Sequence, residues 1–298
     1  AGIELRIYNP LRWTRGLQNF YRDHRKLLII DQQVAYVGGA GLTDQFWQPD
    51  APTSLWHEVM VRVQGPVVGD WQNMFDSQWS SCIARFFWKQ NNSPKQEPTQ
   101  DSPPLPFSNI GKGRVAYAAS TQHRNIQKSL LRAIKGAHQS VWLATPYFLP
   151  TWAIRRALRK AAVRGIDVRL LLTGRHTDLP PVRWAGQRYY PALLRKGVRI
   201  FEYQPRFLHL KMVMVDDWVS IGSCNFDHWN LRFNLEANLE ARDTGLLEQV
   251  ARSFEADFLE SLEITDEVWR QRPLIQRFRQ RLWGWMDRLV INFLDMRK

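Results

Sequence analysis

Two segments of this 298-residue chain share the same spacing of reactive side chains. Each contains a histidine, then a lysine two residues later and an aspartate seven residues later: His24, Lys26 and Asp31 in HRKLLIID, and His209, Lys211 and Asp216 in HLKMVMVD. One such match would be a weak signal, but its duplication predicts two similar half-sites within one chain. A site built from both halves would hold two histidines and two lysines.

The duplication extends into the sequence that follows each motif. A pair of small residues, Gly-Gly in the first half and Gly-Ser in the second, follows the aspartate after six and five intervening residues. A glutamate follows further on, Glu58 in WHEVMVRV and Glu236 in NLEANLEARD. The small pairs allow the backbone to approach a ligand closely. The whole repeat therefore predicts two versions of one structural unit.

The two motifs differ in what precedes them. GIELRIYNP (residues 2–10) resembles GVRIFEYQP (residues 197–205), and both alternate as strands do. Several helix and strand patterns precede residue 197, whereas a single alanine precedes residue 2. We therefore expect the chain to be the C-terminal part of a longer protein that is cut within its first half.

The charge balance favours an anionic partner. Net charge is +13 and the isoelectric point is about 10.1, which suits nucleic acid, an anionic lipid surface or a phosphate-bearing substrate. The two cysteines, Cys82 and Cys224, form neither a disulfide framework nor a zinc pattern, which fits a reducing, cytosolic environment. No apolar run reaches the roughly 20 residues that predict a membrane-spanning helix.

Patterning divides the chain into four segments. Residues 1–88 contain the first half-domain without its N-terminal part, and residues 89–114, rich in Pro, Gln, Ser and Asn, predict a linker or mobile loop. Residues 115–244 alternate strand and helix patterns, as a second half-domain. Residues 245–298 predict amphipathic helices. The predicted fold is α/β, with two sandwich half-domains related by pseudo-twofold symmetry.

The last predicted helix has an apolar stripe with arginines along its border. The stripe consists of Leu274, Phe278, Leu282, Trp285, Leu289 and Phe293. Arg277, Arg281 and Arg288 flank it, and a basic amphipathic helix with tryptophan can lie in a membrane interface. The same stripe is also suited to packing on a domain core. The sequence leaves both interpretations open.

The spacing within each motif separates the aspartate from the other two residues. In a strand, residues two apart lie on the same face, so each histidine lies beside its lysine. The aspartate, seven residues from the histidine, faces the other way. We therefore expect Asp31 and Asp216 to have a structural role, which is to hydrogen-bond the loop that contains the small residues.

Two facing imidazoles with two ammonium groups suit displacement at phosphorus. One histidine can attack as a neutral nucleophile, and the other, protonated, can donate a proton to the leaving alcohol. Lys26, Lys211 and Asn225 can offset the charge on the nonbridging oxygens. Glu58 and Glu236 can orient the imidazoles through their second ring nitrogens. The lysines supply the positive charge, so we expect no metal or other cofactor.

The paired motifs, with Gly-Gly after the first and GSCN after the second, resemble the HKD motifs of the phospholipase D superfamily. The segments ATPYFLP, GRHTDLPPVRWAGQRYYPALLRKGVRIFEYQP and NFDHWNLRFNLEANLE are similar to bacterial cardiolipin synthases of the phospholipase D type. The resemblance covers nearly the whole chain except the linker and the C-terminal tail. It implies two phospholipase D-type α/β sandwich domains that share one active site.

This resemblance also implies an activity and a location. A phosphatidylglycerol donor, or a related lipid, would form a phosphatidyl-histidine, and a second phosphatidylglycerol would attack it to give cardiolipin and glycerol. The implied catalytic set is His24, Lys26, Asp31, His209, Lys211 and Asp216. His24 would be the nucleophile and His209 the acid and base. The implied setting is the cytoplasmic face of the bacterial plasma membrane, with peripheral attachment and anionic phospholipid substrates.

Two positions depart from the family pattern. Gly41 stands where many members have an asparagine, so we expect the first half-site to be the less polar one. Asn230 stands where the second motif often has a serine, and its amide can replace the hydroxyl hydrogen bonds with a different geometry. These departures affect the choice of acceptor more than the chemistry.

Two other enzymatic functions and one non-enzymatic function compete with the transferase. The superfamily includes phospholipase D-type hydrolases and nucleases, and a basic chain also suits nucleic acid. Superfamily nucleases commonly have one motif per chain, whereas this chain has both, and its Trp-rich basic tail suits lipid better. Nucleic acid is therefore the less favoured partner. A binding protein without activity is disfavoured because both motifs retain histidine and lysine.

Overall fold

The computed structural model describes residues 4–47, 55–86, 113–119, 125–228 and 230–295. The described chain is α/β, which confirms the predicted fold class. Its strands are β1 Arg22–Asp23, β2 Lys26–Ile30, β3 Val34–Gly38, β4 Met60–Gln64, β5 Gly113–Ala119, β6 Ser140–Thr145, β7 Asp167–Thr173, β8 Arg199–Tyr203, β9 Met212–Val215, β10 Trp218–Gly222, β11 Asn234–Ala241 and β12 Ser261–Glu263.

The helices lie mainly between the later strands and after them. A short 3₁₀ helix spans Trp13–Phe20. The α-helices are α1 Val67–Phe86, α2 Asn125–Gly136, α3 Trp152–Val163, α4 Pro180–Gln187, α5 Tyr190–Leu194, α6 Asn230–Phe233, α7 Thr244–Leu259, α8 Asp266–Gln271 and α9 Leu274–Asp295. Helix α3 begins after Thr151, whose side chain accepts a hydrogen bond from the Ile154 amide and so caps the first turn.

Within the described residues, nine strands form one mixed sheet in the order β1-β11-β10-β9-β6-β7-β8-β12, with β5 also paired to β11. Strands β6, β7 and β8 are parallel, as expected for strands joined by helical crossovers. Helices α2 and α3 cover one face, where Leu143, Leu170 and Ile200 are fully buried. Helix α7 covers the other face, where Phe254 packs against β6 and β8. This double burial explains the continuous apolar runs of these strands.

The other three strands, β2, β3 and β4, form a small antiparallel sheet. Its inner face packs on β11 of the large sheet, because Ala35, Val37 and Val63 share a core with Ala237 and Leu239. This packing brings the first motif, which leads into β2, against the strand that follows the second motif.

Local geometry repeats between the two halves. In each, a short hairpin follows the lysine, β2–β3 in the first half and β9–β10 in the second. The motif aspartate begins each turn in the left-handed region, with φ of 50° at Asp31 and 49° at Asp216. Aspartate tolerates this region better than most residues do. The repeated spacing in the sequence therefore corresponds to a repeated turn.

Three predicted features differ from the structure. Residues 4–10 form no strand, unlike the aligned β8, because β8 lies between two neighbouring strands whereas none pairs with residues 4–10 among those described. The segment from 245 onward is not purely helical, because β12 adds to the edge of the large sheet. Helix α7 begins at residue 244 and belongs to the core of the second half.

The predicted linker, residues 89–114, lies mostly outside the described residues. Its last two residues are described and begin strand β5, which pairs with residues 235–241 of β11. Any linker between the halves therefore ends before residue 113.

Candidate active site

The first-motif histidine lies against a glutamate from the second half. The backbone N–H of His24 donates to the Leu235 carbonyl, which brings the imidazole to the start of β11. Its Nδ1 lies 3.0 Å from Oε1 and 3.1 Å from Oε2 of Glu236. The Glu236 side chain is fully buried, whereas that of His24 is 27% exposed. A buried carboxylate that accepts from Nδ1–H leaves Nε2 as the free lone pair.

The second-motif histidine has the reciprocal partner. Its Nδ1 lies 2.6 Å from Oε2 of Glu58, a first-half residue. The His209 backbone N–H donates to the His57 carbonyl, so the peptide just before Glu58 positions this imidazole. The side chain of His209 is 9% exposed. Each half therefore supplies the carboxylate that orients the imidazole of the other half. One complete site consequently requires both halves.

The two lysines occupy equivalent positions. Lys26 Nζ donates to the His24 carbonyl at 2.7 Å, and Lys211 Nζ donates to the His209 carbonyl at 2.5 Å. Lys211 also donates to Oε2 of Glu58 at 3.2 Å and lies 2.9 Å from Nε2 of His209. The prediction that each lysine lies beside its own histidine agrees with these contacts, although His24 precedes β2, and His209 and Lys211 precede β9.

Burial makes both ammonium groups easier to deprotonate. Desolvation lowers the pKa of Lys211 to about 8, against the opposing effect of Glu58. Desolvation also lowers the pKa of Lys26, against the charges of Glu236 and Glu58. The same cause lowers the pKa of His209, despite its hydrogen bond to Glu58. These effects cross from one half to the other, so the groups form one electrostatic cluster.

The structure does not bring the motif aspartates to the imidazoles. Asp216 lies at the far end of the β9–β10 hairpin, and its carboxylate accepts from the amides of His138, Gln139 and Ser140 at 2.8–2.9 Å. Desolvation raises its pKa, but these three bonds outweigh that effect and leave the pKa lowered. Asp31 is exposed at the matching turn.

The structural role predicted for Asp216 is therefore present, but its partner is different. It fixes the start of β6 and not the loop that contains Gly222 and Ser223, because that loop lies at the opposite end of the hairpin. Asp31 and Asp216, which the resemblance placed in the catalytic set, are remote from the reacting groups.

Asn225 is buried next to the small-residue loop. It is 2% exposed, and its Oδ1 has no hydrogen-bond partner among the described residues. An orphaned buried amide is costly unless a ligand or water satisfies it. The neighbouring Cys224 is fully buried, and burial raises the pKa of its thiol well above the usual range. It therefore acts as a small packing residue and not as a nucleophile.

A chain of polar side chains behind Glu236 was not found by sequence reasoning. Ser223 Oγ donates to Oε2 of Glu236 at 2.5 Å, and Asn234 Nδ2 lies 3.4 Å from Oε1. Asn234 also donates to Asn230 Oδ1 at 2.5 Å, and the Asn230 amide donates to Asp227. Burial raises the pKa of Asp227 to about 6. The recurrence of Asn and Asp in NFDHWNLRFNLE was the available signal.

Aromatic residues surround the second imidazole. The rings of Trp56, Phe46 and Phe207 have centroids 5.0, 5.6 and 5.7 Å from that of His209. Nearby, Tyr147 donates to Asp178 at 2.6 Å, and burial together with this bond raises the pKa of the phenol. These walls limit the access of water to His209 and supply an apolar surface beside a polar site.

Comparisons with known proteins agree with this geometry. Residues 130–258 match the family model described as cardiolipin synthase, PLD-like domain. The chain is 33% identical to cardiolipin synthase A of Pseudomonas fluorescens over 284 residues, which is 95% of this chain and 57% of that protein. It is 33% identical to cardiolipin synthase A of Pseudomonas aeruginosa over 269 residues, 88% of this chain and 51% of that protein.

One solved structure shares the fold over most of the chain. The crystal structure of phosphatidylserine synthase from Haemophilus influenzae has a TM-score of 0.65 at 13% identity, covering 91% of this chain and 69% of that one. This likeness shows the α/β fold, and the family match over residues 130–258 is to a PLD-like domain. Over most of its length the chain is similar to bacterial cardiolipin synthases, as the sequence predicted. It spans about half the length of the curated relatives it matches.

Proposed function

We propose that this protein transfers a phosphatidyl group from phosphatidylglycerol, or a related donor, to a second phosphatidylglycerol and so makes cardiolipin. The observation that supports this most is the reciprocal pairing of two imidazoles with buried carboxylates, His24 with Glu236 and His209 with Glu58. Two imidazoles held in defined tautomers can divide nucleophilic and acid–base work on one phosphodiester. The similarity to cardiolipin synthases supports the choice of lipid.

In the first step, Nε2 of His24 attacks phosphorus, and the bond from phosphorus to the glycerol headgroup breaks. The leaving oxygen takes a proton from His209. We assign attack to His24 because its side chain is three times as exposed as that of His209.

In the second step, the hydroxyl of the acceptor lipid gives its proton to His209, and its oxygen attacks phosphorus. The bond between phosphorus and His24 breaks, which restores the neutral imidazole and releases cardiolipin. Water in place of the lipid would give phosphatidic acid, so the aromatic walls around His209 favour transfer over hydrolysis by limiting access.

The charge that develops on the nonbridging oxygens is offset by Lys26 and Lys211. Both ammonium groups are largely buried, where their electrostatic effect exceeds that of exposed lysines. Asn225 is the neutral candidate for this set: its buried Oδ1, which has no partner among the described residues, can only accept a hydrogen bond, so a bond to a phosphoryl oxygen would come from its Nδ2. This set supplies the charge stabilisation that a divalent cation provides in other phosphoryl-transfer sites, so the proposed mechanism uses no metal or other cofactor.

The proposed setting is the surface of the bacterial plasma membrane, on its cytoplasmic face and with peripheral attachment. Within the described residues, no helix combines the length and apolar character needed to cross a bilayer. The high positive charge favours a surface rich in anionic lipid.

The direct test uses the full chain and radiolabelled phosphatidylglycerol, with the lipids resolved after incubation. We expect cardiolipin and free glycerol, with product formation unchanged in EDTA. Phosphatidic acid as the sole product would identify a hydrolase. Cleavage of a single-stranded oligonucleotide without lipid turnover would identify a phosphodiesterase acting on nucleic acid. Loss of turnover in EDTA that added metal restores would contradict the metal-free mechanism.

Trapping of the covalent intermediate separates the roles of the histidines. A donor with a good leaving group needs no general acid, so His209→Ala should still become phosphatidylated, whereas His24→Ala should not. With ordinary phosphatidylglycerol both variants should lose activity by about 10³-fold or more. The reverse labelling pattern would assign the nucleophile to His209, and turnover close to wild type in either variant would refute the two-histidine mechanism.

A further inference from the structure

The last helix is packed with its polar side inward. Helix α9 lies on α4, and Gln280 of α9 is almost fully buried, with its amide donating to Gln187 at 2.8 Å. Asp287 pairs with Arg188 at 2.6 Å, and Gly284 permits the close approach of the Arg188 side chain. A helix at the edge of a soluble domain ordinarily packs with its apolar stripe. Here polar residues take that place.

The apolar side of α9 consequently faces outward. Leu274, Phe278 and Trp285 are 77%, 62% and 52% exposed. Further exposed apolar residues lie on the same side: Ile275, Leu282, Met286, Leu289 and Val290. Their spacing of three or four residues makes one continuous stripe along the helix. Such a stripe is uncommon on a monomeric soluble surface and marks an interaction site. The alternative that the stripe packs on the core is therefore excluded for these residues.

Arginines border the stripe on both sides. Arg277, Arg281 and Arg288 follow one edge at intervals of four and seven residues, and Arg279 lies on the other edge over the ring of Trp184. Positive borders along an apolar stripe that contains tryptophan match a helix lying in the headgroup region of an anionic bilayer. Binding of a protein partner would not require arginines along both edges of the apolar stripe.

Helix α9 lies at the same edge of the large sheet as the catalytic residues. Strand β9 is antiparallel to β6, so His209 and Lys211, which precede β9, lie where β6 and β7 end. The chain that leaves β7 at this edge leads into α4, on which α9 packs. Asp287 of α9 also lies 3.4 Å from Nε2 of His228, the neighbour of the buried Asp227.

We propose that the outward face of α9 binds the surface of an anionic lipid bilayer and holds the active-site edge of the sheet at that surface. The eight exposed apolar residues enter the acyl boundary, and the bordering arginines contact the phosphates. This inference deepens the proposed function by naming the contact surface through which the enzyme reaches a lipid substrate. It depends on the contacts of α9 and not on the identity of the reaction.

The test measures sedimentation of the full chain with vesicles of phosphatidylglycerol and phosphatidylcholine, and with phosphatidylcholine alone. We expect binding to the anionic vesicles that Phe278→Asp/Leu282→Asp weakens by about tenfold or more. The matched control, Val163→Asp/Leu259→Asp, replaces two exposed apolar residues outside α9 and adds the same negative charge. It should bind as the wild type does. Arg281→Gln/Arg288→Gln should weaken binding to the vesicles that contain phosphatidylglycerol and should not change binding to vesicles of phosphatidylcholine alone.

Several results would overturn this inference. The inference fails if the α9 variants bind vesicles as the wild type does, or if the control variant loses as much binding as they do. It also fails if the wild type binds no vesicles and is instead a dimer that the Phe278→Asp/Leu282→Asp change dissociates. Turnover of substrate dispersed in detergent should be unaffected by the α9 changes, which separates this surface from the chemistry. Vesicle binding through α9 without any lipid turnover would refute the proposed function and leave the surface assignment intact.

Discussion

The two half-sites use the same residues but hold them differently. Glu236, which orients His24, also accepts from the hydroxyl of Ser223. Glu58, which orients His209, has Gly39 at the position equivalent to Ser223 and accepts instead from Lys211. His24 is the more accessible imidazole and His209 the more buried one. The motif is retained in both halves while the contacts around each carboxylate differ, and this difference fits the two roles proposed for the histidines.

Among the changes that test this difference between the half-sites, removal of either orienting carboxylate should reduce activity the most. Glu236→Gln and Glu58→Gln should each reduce kcat by about 10²-fold or more, because the amide no longer fixes the tautomer that the chemistry requires. Radiolabelled phosphatidylglycerol turnover measures this effect. Glu263→Gln, which alters an exposed pair with Arg199, is the control and should retain wild-type activity. A large loss for only one of the two glutamates would mean that the halves are not reciprocal.

The buried lysine of the second half should set the alkaline limit of activity. Burial lowers the pKa of Lys211 to about 8, so its ammonium is present below that pH and is lost as the pH rises through it. We expect kcat/KM to fall about tenfold per pH unit above this value. In Lys211→Arg the residual activity should lose this limb, since guanidinium stays protonated. An unchanged alkaline limb in that variant would assign the titration to another group.

The serine–glycine difference offers a finer test. Ser223→Ala removes the hydroxyl that donates a hydrogen bond to Glu236. It should reduce kcat roughly tenfold, since hydrogen bonds to a carboxylate contribute about 1.5–3 kcal/mol. Gly39→Ala should reduce activity at least as much, because a Cβ there would clash with the Glu58 carboxylate. Steady-state kinetics and a thermal unfolding curve separate lost orientation from lost folding. Full activity in Gly39→Ala would show that Glu58 has room to move.

The motif aspartates should affect stability and leave the chemistry almost unchanged. Asp216→Asn weakens three hydrogen bonds to backbone amides and should lower the free energy of unfolding by about 2 kcal/mol. Asp31→Asn, at the exposed matching turn, should change it by less than about 0.5 kcal/mol. Because the pKa of folded Asp216 is lowered, its stabilising effect should decline as the pH falls through that pKa. Denaturant unfolding measured at several pH values tests both statements.

Much of the site was predictable from spacing. The pairing of each histidine with its lysine followed from local geometry, and an α/β fold followed from alternating strand and helix patterns. Spacing also identified Glu58 and Glu236 as candidates, but it gave no indication that each would orient the histidine of the opposite half. That exchange depends on the packing of the small sheet against β11, which is a contact between residues distant in sequence.

Other features were beyond local reasoning. The alternating residues near the N-terminus predicted a strand, yet residues 4–10 form none, because a strand requires a neighbour to pair with. The serine in the small-residue loop was interpreted as space for a ligand, and its hydroxyl proved to be a hydrogen-bond donor. The amphipathic stripe of α9 was evident in the sequence, but its direction was not.

The amino-acid sequence by itself determined the reactive groups of this protein, their duplication and the helical and extended segments that contain them, because these depend on residue type and on periods of a few residues. The tertiary structure alone decided which carboxylate orients which imidazole, which lysine is buried deeply enough to titrate near pH 8, and which side of α9 meets solvent. The physical reason is that burial and hydrogen bonding between distant segments arise only when the two sheets and the last helix pack together.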